Sequence, residues 1–129
     1  MTHIQGIQET PLFESPHGEI VRELGGLSAG GLQQHSIAHI TLPPGKASLK
    51  HYHPVIEESY FILNGIARME IDGQTYQITP GQMVAILPTQ VHQIFNDNST
   101  DPVSFIAVCT PPWTPDCSVF LDQCLRISL

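Results

Sequence analysis

The chain has 129 residues, 41% of them hydrophobic, which is the size and composition of one globular domain with a core of its own. No apolar run approaches the roughly 18 residues of a membrane-spanning helix. Lys plus Arg number 5 against 12 Asp plus Glu, a formal net charge of -7, which argues against nucleic acid and anionic membranes as partners.

The first ten residues carry no basic stretch and no apolar run of the kind a secretory leader needs, so the expected location is the cytoplasm. The 3 cysteines, Cys109, Cys117 and Cys124, form an odd set without C-x-x-C spacing and read as free thiols. Cys117 and Cys124 stand close enough in sequence for a bridge to form. Residues 1–35 read as an N-terminal arm with edge strands. Within them Ile20–Leu24 alternates, and Gly25-Gly26 and Gly30-Gly31 bracket a loop.

Residues 36–110 read as the core. The 10 glycines and 11 prolines of the chain, scattered along its length, cut the sequence into pieces too short for long helices. Between the cuts lie runs rich in Val, Ile, Tyr, Phe and Thr: Ser36–Leu42, Ser59–Leu63, Ile66–Ile71, Thr75–Ile78, Met83–Leu87, Gln93–Phe95 and Val103–Thr110. Leu42-Pro-Pro-Gly45, Asn64-Gly65, Asp72-Gly73 and Thr79-Pro-Gly81 supply turns, and the two Asx-Gly pairs are hairpin signals. The pattern predicts an all-β, antiparallel sandwich or barrel. Residues 111–129 are expected to be a C-terminal tail packing on that barrel, its first part kept irregular by Pro111, Pro112 and Pro115.

The chemistry concentrates in Gly45–Gly65. His51 and His53 are two apart, so on a strand both imidazoles leave one face, a natural pair of metal ligands. Pro54 ends that strand, and a short turn brings Glu57 or Glu58 alongside. Strand parity favours Glu58, which shares a face with Tyr60 and Ile62. His92, opening a strand after the turn at Pro88, supplies a further imidazole.

These residues resemble the two motifs of the cupin superfamily. Gly45, His51, His53, Glu58 and Gly65 match G-x5-H-x-H-x4-E-x6-G at every position. Gly81, His92 and Asn96 match the second motif, G-x5-P-x-G-x2-H-x3-N, with Leu87 and Thr89 where the motif has Pro and Gly. The resemblance covers about residues 36–110. It implies a double-stranded β-helix (jelly-roll) barrel, a homodimer, and one divalent metal ion (Mn, Fe, Ni or Zn) on His51, His53, Glu58 and His92. Three neutral imidazoles and one carboxylate leave such an ion a net charge of +1 with open coordination positions, which suits a small anionic substrate or ligand. The expected function is a metal-dependent dioxygenase, isomerase or decarboxylase; the alternative is a non-enzymatic cupin that binds a sugar or organic acid.

Tyr60 and His39 are the candidate catalytic side chains, as a phenol near the metal-bound ligand and an acid or base on the strand Ser36–Leu42. Arg22 and Arg68 read as surface cations with the option of holding a substrate carboxylate. Asn96 reads as a turn cap, Cys109 as a buried thiol, and Met69 and Met83 as packing. Trp113 is expected at a dimer seam or the barrel mouth, and His3, His17 and His35 at the surface. The chain shows no Gly-rich phosphate loop and no G-x-S-x-G turn.

Overall fold

The structure, a computed structural model, describes residues 2–121. Cys124, and with it the question of a bridge to Cys117, lies outside the described residues. Among the described residues eleven strands form two antiparallel sheets. In chain order they are β1 (Phe13–Glu14), β2 (Ile20–Gly25), β3 (Ser36–Leu42), β4 (His51–Tyr52), β5 (Glu57–Asn64), β6 (Ala67–Ile71), β7 (Gln74–Ile78), β8 (Met83–Ile86), β9 (His92–Phe95), β10 (Val103–Thr110) and β11 (Val119–Phe120). The larger sheet runs β1-β2-β3-β10-β5-β8 and the smaller β11-β4-β9-β6-β7. No helix among the described residues is long and apolar enough to cross a membrane.

The expected antiparallel all-β fold is the one observed, with β3 and β10 at the predicted bounds. Two short strands had no sequence signal of their own. β1 and β11 have two residues each, and pairing with β2 and β4 defines them rather than composition. The N-terminal arm joins the larger sheet through β2, which pairs with β3 from Ile20↔Thr41 onward.

Alternation along the strands builds the core. In β5, Glu58, Tyr60 and Ile62 are buried while Glu57 and Phe61 are exposed. Ile62, Phe105, Met69, Ile94 and Leu42 form the centre of the packed cluster between the sheets. Burying each such side chain stabilises by about 1.5–3 kcal/mol relative to exposure. Met83 departs from the expected packing role: it is 55% exposed, on the outer face of edge strand β8.

The hairpin between β6 and β7 turns on Asp72 and Gly73 with φ of 48° and 82°, the left-handed pair that a two-residue hairpin needs. Gly65, at φ 81°, closes the β5–β6 connection, where a Cβ would collide with the Pro102 carbonyl oxygen. Asn96 is buried and ties the end of β3 to the segment that leads into β10. Its Nδ2 donates to the carbonyls of Leu42 (3.0 Å) and Asp101 (2.9 Å), and its Oδ1 accepts from the Asn98 amide.

Candidate metal centre

Four side chains converge between the sheets. His51 stands on β4 and His92 directly opposite it on β9, a cross-strand pair in the smaller sheet. His53 follows two residues after His51, and Glu58 faces them from β5 of the larger sheet. One ligand atom from each lies within 4.8 Å of all the others, and all four residues are buried. Of the two candidate carboxylates, the pleat turns Glu58 inward and Glu57 to solvent.

The hydrogen bonds around the cluster set its chemistry. His51 Nδ1 donates to the Leu49 carbonyl (2.7 Å), His92 Nδ1 to the Gln90 carbonyl (3.0 Å), and His53 Nδ1 to the Cys117 carbonyl (3.1 Å). A carbonyl oxygen only accepts, so each of these rings carries its proton on Nδ1. Each neutral ring therefore turns the lone pair of Nε2 inward, the tautomer a metal ligand requires. Two of these nitrogens, on His53 and His92, lie 3.3 and 3.4 Å from the same oxygen, Glu58 Oε1. Oε1 and His92 Nε2 are buried without a hydrogen-bond partner. Atoms that all carry lone pairs are thus brought together, and that arrangement demands a shared positive charge.

A proton can supply that charge. Burial opposes protonation of His53, but contacts with Cys117 and Glu58 outweigh it and lift its pKa to about 10. Burial likewise raises Glu58, yet the close approach of His53 and His92 holds its carboxyl below the usual range. Burial and the neighbouring His92 push His51 down to about 4, so it stays neutral. A divalent cation also suits the donor set: three imidazole nitrogens and a carboxylate, all buried and pre-oriented, fit Mn, Fe, Ni or Zn.

The sequence left two supports unmarked. Cys109 on β10 lies across from Glu58 in the register and donates Sγ–H to Glu58 Oε2 (3.2 Å). Burial, and then the charge of Glu58, push its thiol pKa far up, so it stays a donor. The C-terminal segment also contributes, since His53 Nδ1 meets the Ser118 hydroxyl at 3.2 Å as well as the Cys117 carbonyl. Neither support lies near Glu58 or His53 in sequence, so only the register and the returning tail reveal them.

The cluster opens into a cavity of about 870 Å³. Tyr60 lines it, fully buried, and its phenol is kept protonated by burial and by the adjacent Glu58 charge. His39 is not brought there. Ala38 and Ile40 line the cavity, and the pleat turns His39 between them to the opposite face of β3, across from Arg22. Arg22 donates to the carbonyls of Ile7 and Thr10 (3.0 Å each) and pins the N-terminal arm. Arg68 pairs with Asp97 (2.7 Å) and Glu70 (2.9 Å) and covers the Phe95 ring. Neither arginine lines the cavity. Trp113 and His17 do line it, so Trp113 stands at the barrel mouth, and His17 is not simply a surface histidine. His3, by contrast, meets the Leu24 carbonyl on the surface, and His35 is exposed.

A model of the cupin domain family matches residues 38–109, more than half of the chain. An uncharacterized protein of Methanocaldococcus jannaschii, MJ1618, is 29% identical over 105 residues, covering 81% of this chain and 83% of that one. Among solved structures, a sugar phosphate isomerase of the cupin superfamily from Silicibacter pomeroyi superposes with a TM-score of 0.73 at 25% identity, covering 87% of this chain and 76% of its own. An oxalate decarboxylase from Lactobacillus farciminis, in complex with formate, superposes with a TM-score of 0.78 at 21% identity over 95% of this chain and 36% of its own, a likeness of fold.

Proposed function

The chain belongs to the cupin family, and from that premise we propose that it is a metal-dependent enzyme acting on a small substrate through an anionic oxygen chelate. The observation that carries this reading is the meeting of Glu58 Oε1 with the Nε2 atoms of His53 and His92 at 3.3 and 3.4 Å inside one buried cluster of three imidazoles and a carboxylate. His51, His53, Glu58 and His92 would hold the ion, and a divalent metal bound there supplies a Lewis acid for an anionic oxygen.

The chain's own groups then have distinct tasks. The three Nδ1–H donors to backbone carbonyls keep the ligating nitrogens aimed inward. Cys109 holds one oxygen of Glu58 and leaves the other for the ion. Tyr60, held protonated beside Glu58, is placed to donate a hydrogen bond to a substrate oxygen. Isomerisation and decarboxylation are the reaction types of the two solved relatives above; dioxygenation is the third compatible chemistry. Binding of a sugar or organic acid without turnover is the second reading. We also propose that the protein works in the cytoplasm as a homodimer. The dimer is supported by an apolar row across the outer face of the larger sheet, where half-exposed Phe61 lies opposite exposed Met83 and partly buried Ile106.

Metal content tests the ligand set. The purified chain is expected to take up one divalent ion, with His51→Ala and His92→Ala falling well below that. Glu58→Gln should lose it and Glu57→Gln retain it. Unchanged elemental analysis in the histidine variants, or the reverse order for the two glutamates, would overturn the assignment. Turnover that stops on chelation and returns with one metal separates the enzyme from the binding module.

A further inference from the structure

The walls of the cavity select a substrate class within the reading just given, and the inference rests on that reading. The floor is one cross-strand row of the larger sheet: Glu23 on β2, Ala38 on β3, Ala107 on β10 and Tyr60 on β5, each the register partner of the next. Strands lie about 4.8 Å apart, so this row runs about 14 Å from Glu23 to Tyr60. Its two middle positions are alanines, with no side chain beyond Cβ to fill the space above the sheet. The result is a flat shelf leading away from the metal cluster, inside a cavity of about 870 Å³. That volume lies near the upper end of the range that holds drug-sized ligands, and a two-carbon diacid leaves most of it empty.

The charges in the cavity are as informative as its shape. Among the described residues no lysine or arginine lines it, and His17 is its one basic side chain apart from the ligand cluster. Glu19 and Glu23 both line it. A phosphate or second carboxylate along the shelf would face these acids without a guanidinium or ammonium to hold it. At the far end of the row the Glu23 carboxylate lines the cavity as an acceptor group, its Oε1 packed against Gly26. The rim is apolar: Leu12, Phe13 and Trp113 line the cavity while remaining 51%, 60% and 44% exposed.

We propose that this site takes a flat, largely apolar molecule of two or more fused rings. Its anionic charge is confined to the oxygen chelate at the metal end, such as an enolate or phenolate beside a ketone, and it carries a hydroxyl or amino donor for Glu23 at the other. The shelf of Ala38 and Ala107 sets its thickness, and the acidic wall excludes sugar phosphates and diacids as preferred substrates.

The test uses the full chain loaded with cobalt(II), read by the visible spectrum of the ion. The probes are oxalate, 2-acetyl-1-naphthol, and the naphthol with a further hydroxyl at position 6. The naphthol is expected to bind at least tenfold more tightly than oxalate, and the added hydroxyl to gain several-fold more. Ala107→Leu should weaken the naphthol more than tenfold and leave oxalate unchanged. Ala38→Leu, on the neighbouring strand, makes the same test if Ala107→Leu does not fold. Glu23→Leu should erase only the gain from the added hydroxyl. Oxalate binding more tightly than the naphthol, or naphthol affinity indifferent to both alanine variants, would overturn the proposal while leaving the metal site standing. Failure of the wild-type chain to take up cobalt would bring down the metal reading and this proposal together.

Discussion

At the scale of single residues, the site is governed by which atom carries a proton. Backbone carbonyls place one on Nδ1 of His51, His53 and His92, and the remaining charge is shared between His53 and Glu58. In the metal-free protein His53 is raised to about 10, so it is protonated at neutral pH, whereas His51, lowered to about 4, is already neutral. A metal must displace the His53 proton. Binding is therefore expected to release one proton, and apparent affinity to rise about tenfold per pH unit between neutrality and pH 10, then level off. Calorimetry at pH 7.5 in buffers of different ionisation enthalpy measures that proton; zero release would show that the imidazole is neutral before the ion arrives. Cys109 makes a second residue-scale prediction. Cys109→Val removes the donor to Glu58 Oε2 and should weaken metal binding about tenfold, while Cys109→Ser, which keeps a donor, should restore most of it. Competition against a chromophoric chelator distinguishes the two, and equal affinities in both variants would show that the thiol only fills space.

At the scale of elements, the turn before β9 carries an unusual conformation. Thr89 sits at φ 72°, a left-handed region that a β-branched residue rarely enters, in the motif position where the family has glycine. Its amide donates to the His53 carbonyl (2.8 Å), and the Gln90 side chain accepts from the Leu87 amide (2.8 Å), so the turn is fixed from both sides. Those contacts hold the chain on its way to His92 despite the strain. Thr89→Gly should therefore raise stability by about 1 kcal/mol, seen as an increase of a few degrees in Tm, with metal content unchanged. A lowered Tm would mean that the threonine side chain contributes more than its backbone costs. The same element explains why Leu87 and Thr89 depart from the motif without displacing His92: the side-chain and backbone bonds of the turn replace the missing Pro and Gly.

At the scale of the whole molecule, an outer sheet face holding Phe61 and Met83, 44% and 55% exposed, sits on a chain with few charges. Light scattering is expected to give twice the mass of one chain, and Phe61→Asp to reduce it to one; a wild-type monomer would dismiss the dimer. The amino-acid order by itself determined the antiparallel all-β architecture, the strands of the core, and the four side chains that meet in the candidate metal centre. These are periodic or locally spaced features: alternation, Asx-Gly turns, and histidines two apart are written in neighbouring positions. The choice of Glu58 over Glu57 was equally legible, because pleat parity is a local property. Only the tertiary structure decided what depends on register between distant strands. It turned His39 away from the cavity and Trp113 toward it, set Cys109 against Glu58, and lined up Glu23, Ala38, Ala107 and Tyr60 as one floor. Such contacts join residues tens of positions apart, and which strand lies beside which is settled by the packing of the whole barrel rather than by any short stretch of chain.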